Sequence, residues 1–325
     1  MDLAGGPVAR GAAIVPMPMI AQAARGGAPV APRHYGEALR IAFAGPPVWL
    51  DGCAPRDATY GMRPGRFTVA NPEDLEPSLA AIAAFRPHVT VVLDPPAHPV
   101  DALRGLPGAT LGVLVGALPD DPTSLEALDR VVCFDPSLTG APVGAEELWR
   151  AIPPPVSDAL FDEVRPLRHA PRAISIGSSS PHRETMLASA KHHHDLLQVI
   201  HGVHGEALQE LLRECDVGVY VAPGPGGGFG LQVGVHLAAG QLLLAGDLNP
   251  SHGLERNIDY LHVDSPDGLA HVLQRLGRFP GMYQRIRVRG RLKAEQYRAS
   301  RLFARLAGDL LADVAAFGSP RASPP

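Results

Sequence analysis

The residues best suited to chemistry are five glycines between a predicted strand and a predicted helix. They are Gly224, Gly226, Gly227, Gly228 and Gly230, with Phe229 among them, and they follow the apolar run 216–222, which is typical of a buried parallel strand. Residues 231–239 then have helical spacing and end at Gly240, before a predicted strand at 241–245. A glycine loop lets a ligand approach the backbone, and the N–H groups that begin a helix favour an anion. The sequence therefore predicts a phosphate or diphosphate site here.

Acidic residues follow several predicted strands of the first half. They are Asp94, Asp120, Asp121 and Asp135. Loops after parallel strands gather at one edge of a sheet, where ligands bind, so these carboxylates are candidates for a cleft. Aspartate also caps helices and forms turns. Both interpretations stay open at this point.

Two further clusters are interpreted as structural. His192, His193 and His194 are adjacent along the chain and cannot all face one ion, and the pair His201 and His204 flanks Gly202 in a predicted loop. No metal site is predicted. Basic residues alternate with apolar ones between 285 and 293, which favours a charged helix face over a site for a polyanionic acceptor.

Composition narrows the class of protein. The 325 residues are 46% hydrophobic and 19% charged, which is enough to bury the cores of two domains. The net charge of −4 gives no global reason to bind nucleic acid or an anionic membrane. Three widely spaced cysteines predict no disulfide framework. We expect a cytoplasmic protein without a transmembrane segment; the sequence does not indicate its oligomeric state.

Strands and helices alternate through both halves, which predicts an α/β fold with two doubly wound parallel sheets. In the first half, strands are predicted at 39–45, 86–96, 109–119 and 129–136 and helices at 75–85 and 100–106, while 51–72 is expected to be irregular and to line a cleft. In the second half, strands are predicted at 173–177, 196–202, 216–222, 241–245 and 259–265, and helices at 178–193, 206–213, 231–239, 266–276 and 283–315.

Proline-punctuated residues 151–172 read as a linker between two Rossmann-like domains, 39–150 and 173–315. The Gly/Ala/Pro-rich residues 1–38 are expected to form a flexible leader, and 316–325 a flexible tail.

Four segments of the second half carry a family resemblance. PPPVSDALF (153–161) resembles an interdomain hinge, and ISIGSSSPHRETML (174–187) resembles a first strand and helix. FGLQVGVHLAAGQLLLAGD (229–247) resembles a donor-binding helix with its following strand, and NIDYLHVDSPDGLAHVLQRL (257–276) resembles the segment after it. In order and spacing these segments resemble the GT-B glycosyltransferases, in particular the CgeB-like, group 1 members.

The resemblance implies transfer of a sugar from a nucleotide-diphosphate sugar to an unidentified acceptor. The donor would lie in a cleft between the two domains, mainly against the second, and would need no metal or other cofactor. Its diphosphate would face Arg183 and the loop 226–230, while Gly177, Asp247 and Asn249 would border its pocket. The acceptor would lie on the side of Asp94, Asp120 and Asp121.

The chain departs from the family at two positions. Family members carry a glutamate in the donor helix that bonds the nucleotide ribose, with a second glutamate before it; the matching residues are Val235 and Gly227. A catalytically silent nucleotide- or sugar-binding relative is therefore one alternative. An NAD(P)-dependent oxidoreductase is another, because an acidic residue, Asp247, ends the strand after the glycine loop, although Phe229 stands where a third fingerprint glycine is expected.

Overall fold

The computed structural model describes residues 38–143, 146–200 and 203–319. The predicted leader lies outside these residues except for its last position, and so does most of the predicted tail.

Six parallel strands form the sheet of the first half. They are β1 (Leu39–Gly45), β2 (Met62–Thr68), β3 (Val89–Leu93), β4 (Ala109–Leu114), β5 (Arg130–Cys133) and β8 (Arg150–Ala151), while β6 (Pro142–Val143) and β7 (Glu146–Glu147) pair separately. The helices are α1 (Pro47–Cys53), α2 (Leu75–Phe85), α3 (Val100–Arg104) and α4 (Thr123–Glu126). The strand order is β2-β1-β3-β4-β5-β8.

Both faces of this sheet are covered, as the unbroken apolar strands predict. Along β1, Ile41 and Phe43 enter one core cluster while Ala42 and Ala44 enter another. All five residues of β3 are buried. This two-sided burial is what a parallel sheet requires.

Strand β2 corrects the prediction that residues 51–72 are irregular. Its seven residues pair in parallel with β1 over the whole length of both strands. Pro64, Gly65 and two arginines hide the strand pattern, and an edge strand tolerates them because one of its sides has no partner.

The second sheet has five parallel strands. They are β9 (Ala173–Ile176), β10 (Leu196–Val199), β11 (Val217–Tyr220), β12 (Leu242–Ala245) and β13 (Leu261–His262), in the order β10-β9-β11-β12-β13. Helices α5 (Pro181–His193), α6 (Gly205–Glu214), α7 (Leu231–Ala238), α8 (Pro266–Arg278) and α9 (Gln284–Ala294) accompany it. None of the described helices is long and apolar enough to cross a membrane.

The prediction that one helix over residues 283–315 closes the second half is wrong. After α9 and a short turn, α10 (Ala299–Phe317) packs on the first sheet. Phe303 meets Phe43 edge-on at 4.9 Å between ring centroids. Arg298, with φ −57° and ψ 120°, ends the preceding helical run and redirects the chain.

The chain passes between the sheets twice, and the two passages are bonded to each other. The Val156 amide donates to the Tyr297 carbonyl at 2.7 Å, and the Ala299 amide donates to the Val156 carbonyl at 2.8 Å. The Asp158 carboxylate accepts hydrogen bonds from the Arg298 guanidinium at 3.2 Å and from the Ser300 hydroxyl at 2.6 Å. The predicted linker is thus held at this point by residues that follow α9.

Candidate functional site

The strand order of the second sheet marks where a ligand is expected. From β9 the chain first moves to β10 on one side, then to β11 on the other, so the connections diverge between β9 and β11. Ligands of open α/β sheets bind beyond the carboxyl ends of strands at such a switch point. Gly177 follows β9 and the glycine loop follows β11, so both lie where the sequence places them.

A cavity of about 610 Å³ lies between the two halves at this edge. From the first half, three segments line it: Val48 and Trp49 within α1, residues 115–117 after β4, and Phe134, Asp135 and Leu138 after β5. From the second half it is lined by residues 227–232, Asn249 and Pro250, with Pro154 of the linker. The predicted glycine loop and Asn249 are therefore brought together with the first half.

The glycine loop is folded against the end of β12. The Gly230 amide donates to the Tyr220 hydroxyl at 2.9 Å, and the Gly228 amide donates to the Asp247 carbonyl at 3.3 Å. Gly227 has φ 85°, and a Cβ there would lie 2.4 Å from the Asp247 carbonyl oxygen. Glycine is required at this position, so the second family glutamate, which the resemblance aligns with Gly227, has no room in this loop conformation.

Helix α7 presents its N-terminus to the cavity. Gly230 is its N-cap and provides no side chain, and Leu231 and Gln232 of its first turn line the cavity wall. The first N–H groups of a helix lack intrahelical acceptors and carry partial positive charge. This end of α7, with the amides of Gln232 and Asn249 beside it, is suited to bind an anion.

Phe229 holds the glycine loop in place by packing against two aromatic rings of the second half. Its ring packs edge-on against His252 at 4.7 Å and Tyr297 at 5.6 Å between centroids. Burial lowers the pKa of His252, and a backbone hydrogen bond to Phe134 partly opposes that shift. A neutral imidazole therefore lies at the contact between the halves at neutral pH.

Arg183 does not line the main cavity; its side chain lies beneath the two loops that follow β9 and β11. Its side chain is buried, with Nε donating to the Val221 carbonyl at 2.7 Å and Nη1 to the Ser178 carbonyl at 2.6 Å. A Cβ at Gly177 would come within 2.5 Å of that Nη1. Arg183 therefore ties the ends of β9 and β11 together; a direct phosphate contact stays a prediction.

A second cavity, of about 180 Å³, adjoins α7 on the side of β10. Its wall is mainly aliphatic and includes Ile176, Val199, Leu208, Leu231 and Val235. Val235, which the family resemblance aligns with the ribose-binding glutamate, is 5% exposed. This wall offers a sugar hydroxyl no carboxylate from α7.

A third cavity, of about 220 Å³, lies beyond the glycine loop toward α5 and α8. Asp247 lines it, and its Oδ1 is 2.9 Å from His262 Nε2 and 2.5 Å from Arg256 Nη2. Gly226 lines the same space. The carboxylate that a nicotinamide enzyme would use on a ribose is thus already paired, and the strand order differs from the 3-2-1-4-5-6 order of dinucleotide-binding domains.

The acidic residues of the first half do not converge. Asp135 reaches the main cavity, where its carboxylate also accepts the Ser137 amide at 2.8 Å. Asp121 is exposed and bonds the amide and hydroxyl of Thr123, which lower its pKa. Asp120 is exposed, and Asp94 is half-buried with its pKa raised by burial. Asp94, Asp120 and Asp121 are not on the wall of the main cavity, so their role toward an acceptor stays a prediction.

Sequence reasoning missed the contribution of α1. Trp49 lines the main cavity, and Asp51 and Gly52 line the aliphatic one. The signal was Trp49, which lies two residues after the Gly-Pro-Pro sequence that follows β1 from its last residue, Gly45. The described residues contain no cluster of three or more ligands suited to a metal ion.

Two parallel α/β sheets, with a cavity at the edge where their halves meet, define a GT-B architecture. The structure is similar to an α-glucosyltransferase in complex with UDP and a 13-mer DNA containing an HMU base, with TM-score 0.59, 9% identity, and coverage of 85% of this chain and 100% of that one.

A glycosyltransferase from Rickettsia africae has TM-score 0.52 and 11% identity, with 85% of this chain and 99% of that one covered. HepE of Anabaena in complex with UDP-glucose has TM-score 0.50 and 11% identity, with 86% and 100% covered. No protein-family model and no curated protein matches the sequence. The chain thus has the fold of the GT-B glycosyltransferases it resembles; the CgeB-like subdivision stays a prediction.

Proposed function

We propose that the chain transfers a sugar from a nucleotide-diphosphate sugar to an acceptor held in the main cavity. The observation that carries this proposal is the N-terminus of α7, which opens with the glycine loop into the space between the halves. The presence of UDP or UDP-glucose in two structures of the same fold supports it.

In this proposal the donor diphosphate lies at the start of α7 and needs no metal ion. Backbone N–H groups, the helix dipole and the side-chain amides of Gln232 and Asn249 would offset its charge. Arg183 would contribute by fixing the two loops that flank the diphosphate. The nucleoside would extend into the aliphatic cavity past Gly177.

The acceptor would lie against Trp49, Phe134 and Asp135. Its hydroxyl or amine would attack the anomeric carbon, the bond from that carbon to the diphosphate would break, and the diphosphate would leave with the bonding electrons. Among the described residues on the cavity wall, Asp135 is the one carboxylate, and we assign to it the proton that the acceptor loses.

A second candidate is a binding protein that holds a nucleotide or a nucleotide sugar without transferring the sugar. Gly227 and Val235 favour it, because neither can bond the donor as the family glutamates do. The three cysteines are free and buried, which supports a reducing compartment such as the cytoplasm for either candidate.

Calorimetry with nucleoside diphosphates, followed by an assay for nucleotide release from their sugars, tests the proposal. We expect one nucleotide to bind and Gln232→Ala to weaken binding roughly tenfold, since a hydrogen bond to a charged group contributes about 1.5–3 kcal/mol. Gln274→Ala, on the exposed face of α8, is the matched control and should bind like the wild type.

Asp135→Asn separates the two candidates. It should abolish nucleotide release while leaving nucleotide binding unchanged. Binding without release in the wild type, over a broad set of acceptors, would establish the binding protein. Absence of all nucleotide binding would overturn both.

A further inference from the structure

The proposed function does not use an exposed stripe on the second half. It begins after α8 and runs along α9: Phe279, Met282, Val288 and Leu292 are 59%, 51%, 38% and 66% exposed. Large apolar side chains at such exposure are unusual when they lie together on one surface.

Helical spacing puts Met282, Val288 and Leu292 on a common face, and Phe279 immediately precedes the turn that contains Met282. In α9, positions 285, 288, 289 and 292 are related by three, four and seven residues, so they project from one side of the helix. Met282 lies in the helical turn that runs directly into α9 and continues the same spacing. The opposite side of α9 is buried, where Arg287 donates to the carbonyls of Gly240 and Arg165.

Arginines are interleaved with the apolar residues. Arg278, Arg285 and Arg289 are exposed within the same stretch. Arg289 is 3.5 Å from Asp259, while Arg278 and Arg285 lie within ion-pair distance of no described carboxylate. The stripe is therefore cationic on a chain whose net charge is −4.

We propose that this stripe, residues 278–292, docks the protein on an anionic lipid surface. Phenylalanine, methionine, valine and leucine side chains would enter the acyl boundary while the arginines bind lipid phosphates. A second copy of the chain fits less well, because a two-fold contact would set the arginines of one copy against those of the other. Because the chain is negative overall, anionic lipid repels the rest of its surface. The stripe would therefore set the orientation of the protein on the membrane.

Co-sedimentation of the full chain with vesicles tests this proposal. Vesicles of phosphatidylcholine alone are compared with vesicles containing about 30% phosphatidylglycerol, at low and high salt. We expect binding to the anionic vesicles, weakened by salt as the Debye length shortens. Arg285→Glu should weaken partitioning at least fivefold, the equivalent of about 1 kcal/mol per charge near the surface. Leu292→Ser should weaken it roughly tenfold.

Two control variants alter exposed residues elsewhere on the surface. Phe317→Ser removes a phenylalanine that is 80% exposed at the end of α10, and Arg63→Glu reverses an exposed charge on β2. Both should bind vesicles like the wild type, and unchanged thermal unfolding should show that all variants are folded.

Equal loss in the controls, or no binding of the wild type to anionic vesicles, would overturn the proposal. So would a dimer in lipid-free solution that Leu292→Ser dissociates, because the stripe would then belong to a contact between copies.

Discussion

At the scale of single residues, Val235 determines whether the proposed donor pocket can hydrogen-bond the hydroxyl groups of a nucleotide ribose. Its isopropyl group cannot accept a hydroxyl hydrogen bond. We therefore predict that UDP and dUDP, which differ only by the 2′-hydroxyl, bind the wild type within about threefold of each other.

Val235→Glu should tighten UDP over dUDP by roughly tenfold, since it supplies the charged acceptor. Val235→Leu is the control and should leave the ratio near one. Calorimetric titrations with both nucleotides measure it. A wild type that already prefers UDP by tenfold would contradict the prediction.

The same scale shows what the sequence could and could not predict about the site. The glycine count located the loop, whereas the absence of the two family glutamates, inferred by alignment on Phe229, stays a prediction. Gly227 packs against the Asp247 carbonyl, twenty positions later in the sequence. A local sequence pattern cannot indicate such a contact. The predicted diphosphate contact of Arg183 is untested, and the burial of its side chain depends on the packing of β9 beside β11, which the sequence did not indicate.

At the scale of elements, strands buried on both faces were predictable because continuous runs of apolar residues mark them. The helix predicted at 75–85 has the observed bounds of α2. Strand β2 was missed because an edge strand is held by backbone pairing with β1, and this pairing leaves little apolar signal in its own residues.

Helix α7 contains a fully buried histidine that makes stability depend on pH. Burial lowers the pKa of His236 to about 4, and its Nδ1 is 2.7 Å from the Gln241 amide oxygen. The folded state therefore binds this proton less readily than the unfolded state, whose histidine has the ordinary pKa near 6.5.

The contribution of neutral His236 to the free energy of unfolding is therefore fully present above about pH 6.5. It is lost as the pH falls toward 4, by up to the order of 3 kcal/mol. Burial shifts the pKa of His98 and His252 in the same direction, so they add to the loss. Chemical denaturation at pH 7 and pH 4.5 measures it. His236→Gln should be less stable at pH 7 but lose less between the two pH values; an unchanged difference would contradict this account.

At the scale of the whole molecule, α10 joins the halves. It follows the second half in sequence but packs in the core of the first sheet, where Arg130 and Arg150 also bind Asp313 and Asp309 at 2.6 and 2.8 Å. The sequence could not predict this, because an amphipathic helix shows that it has an apolar face but not which sheet covers it. The paired passages at Val156 and residues 297–299 make the two halves share one set of contacts.

This arrangement predicts that damage to α10 affects both sheets. Phe303→Ala removes a fully buried ring against Phe43 and should cost about 3–5 kcal/mol of unfolding free energy. Phe317→Ala, at the exposed end of the same helix, should change stability by less than about 0.5 kcal/mol. Calorimetry should show one transition that moves down in Phe303→Ala, because the shared passages unfold with either half. Two separate transitions, with only the lower one shifted, would mean that the halves unfold independently despite these contacts.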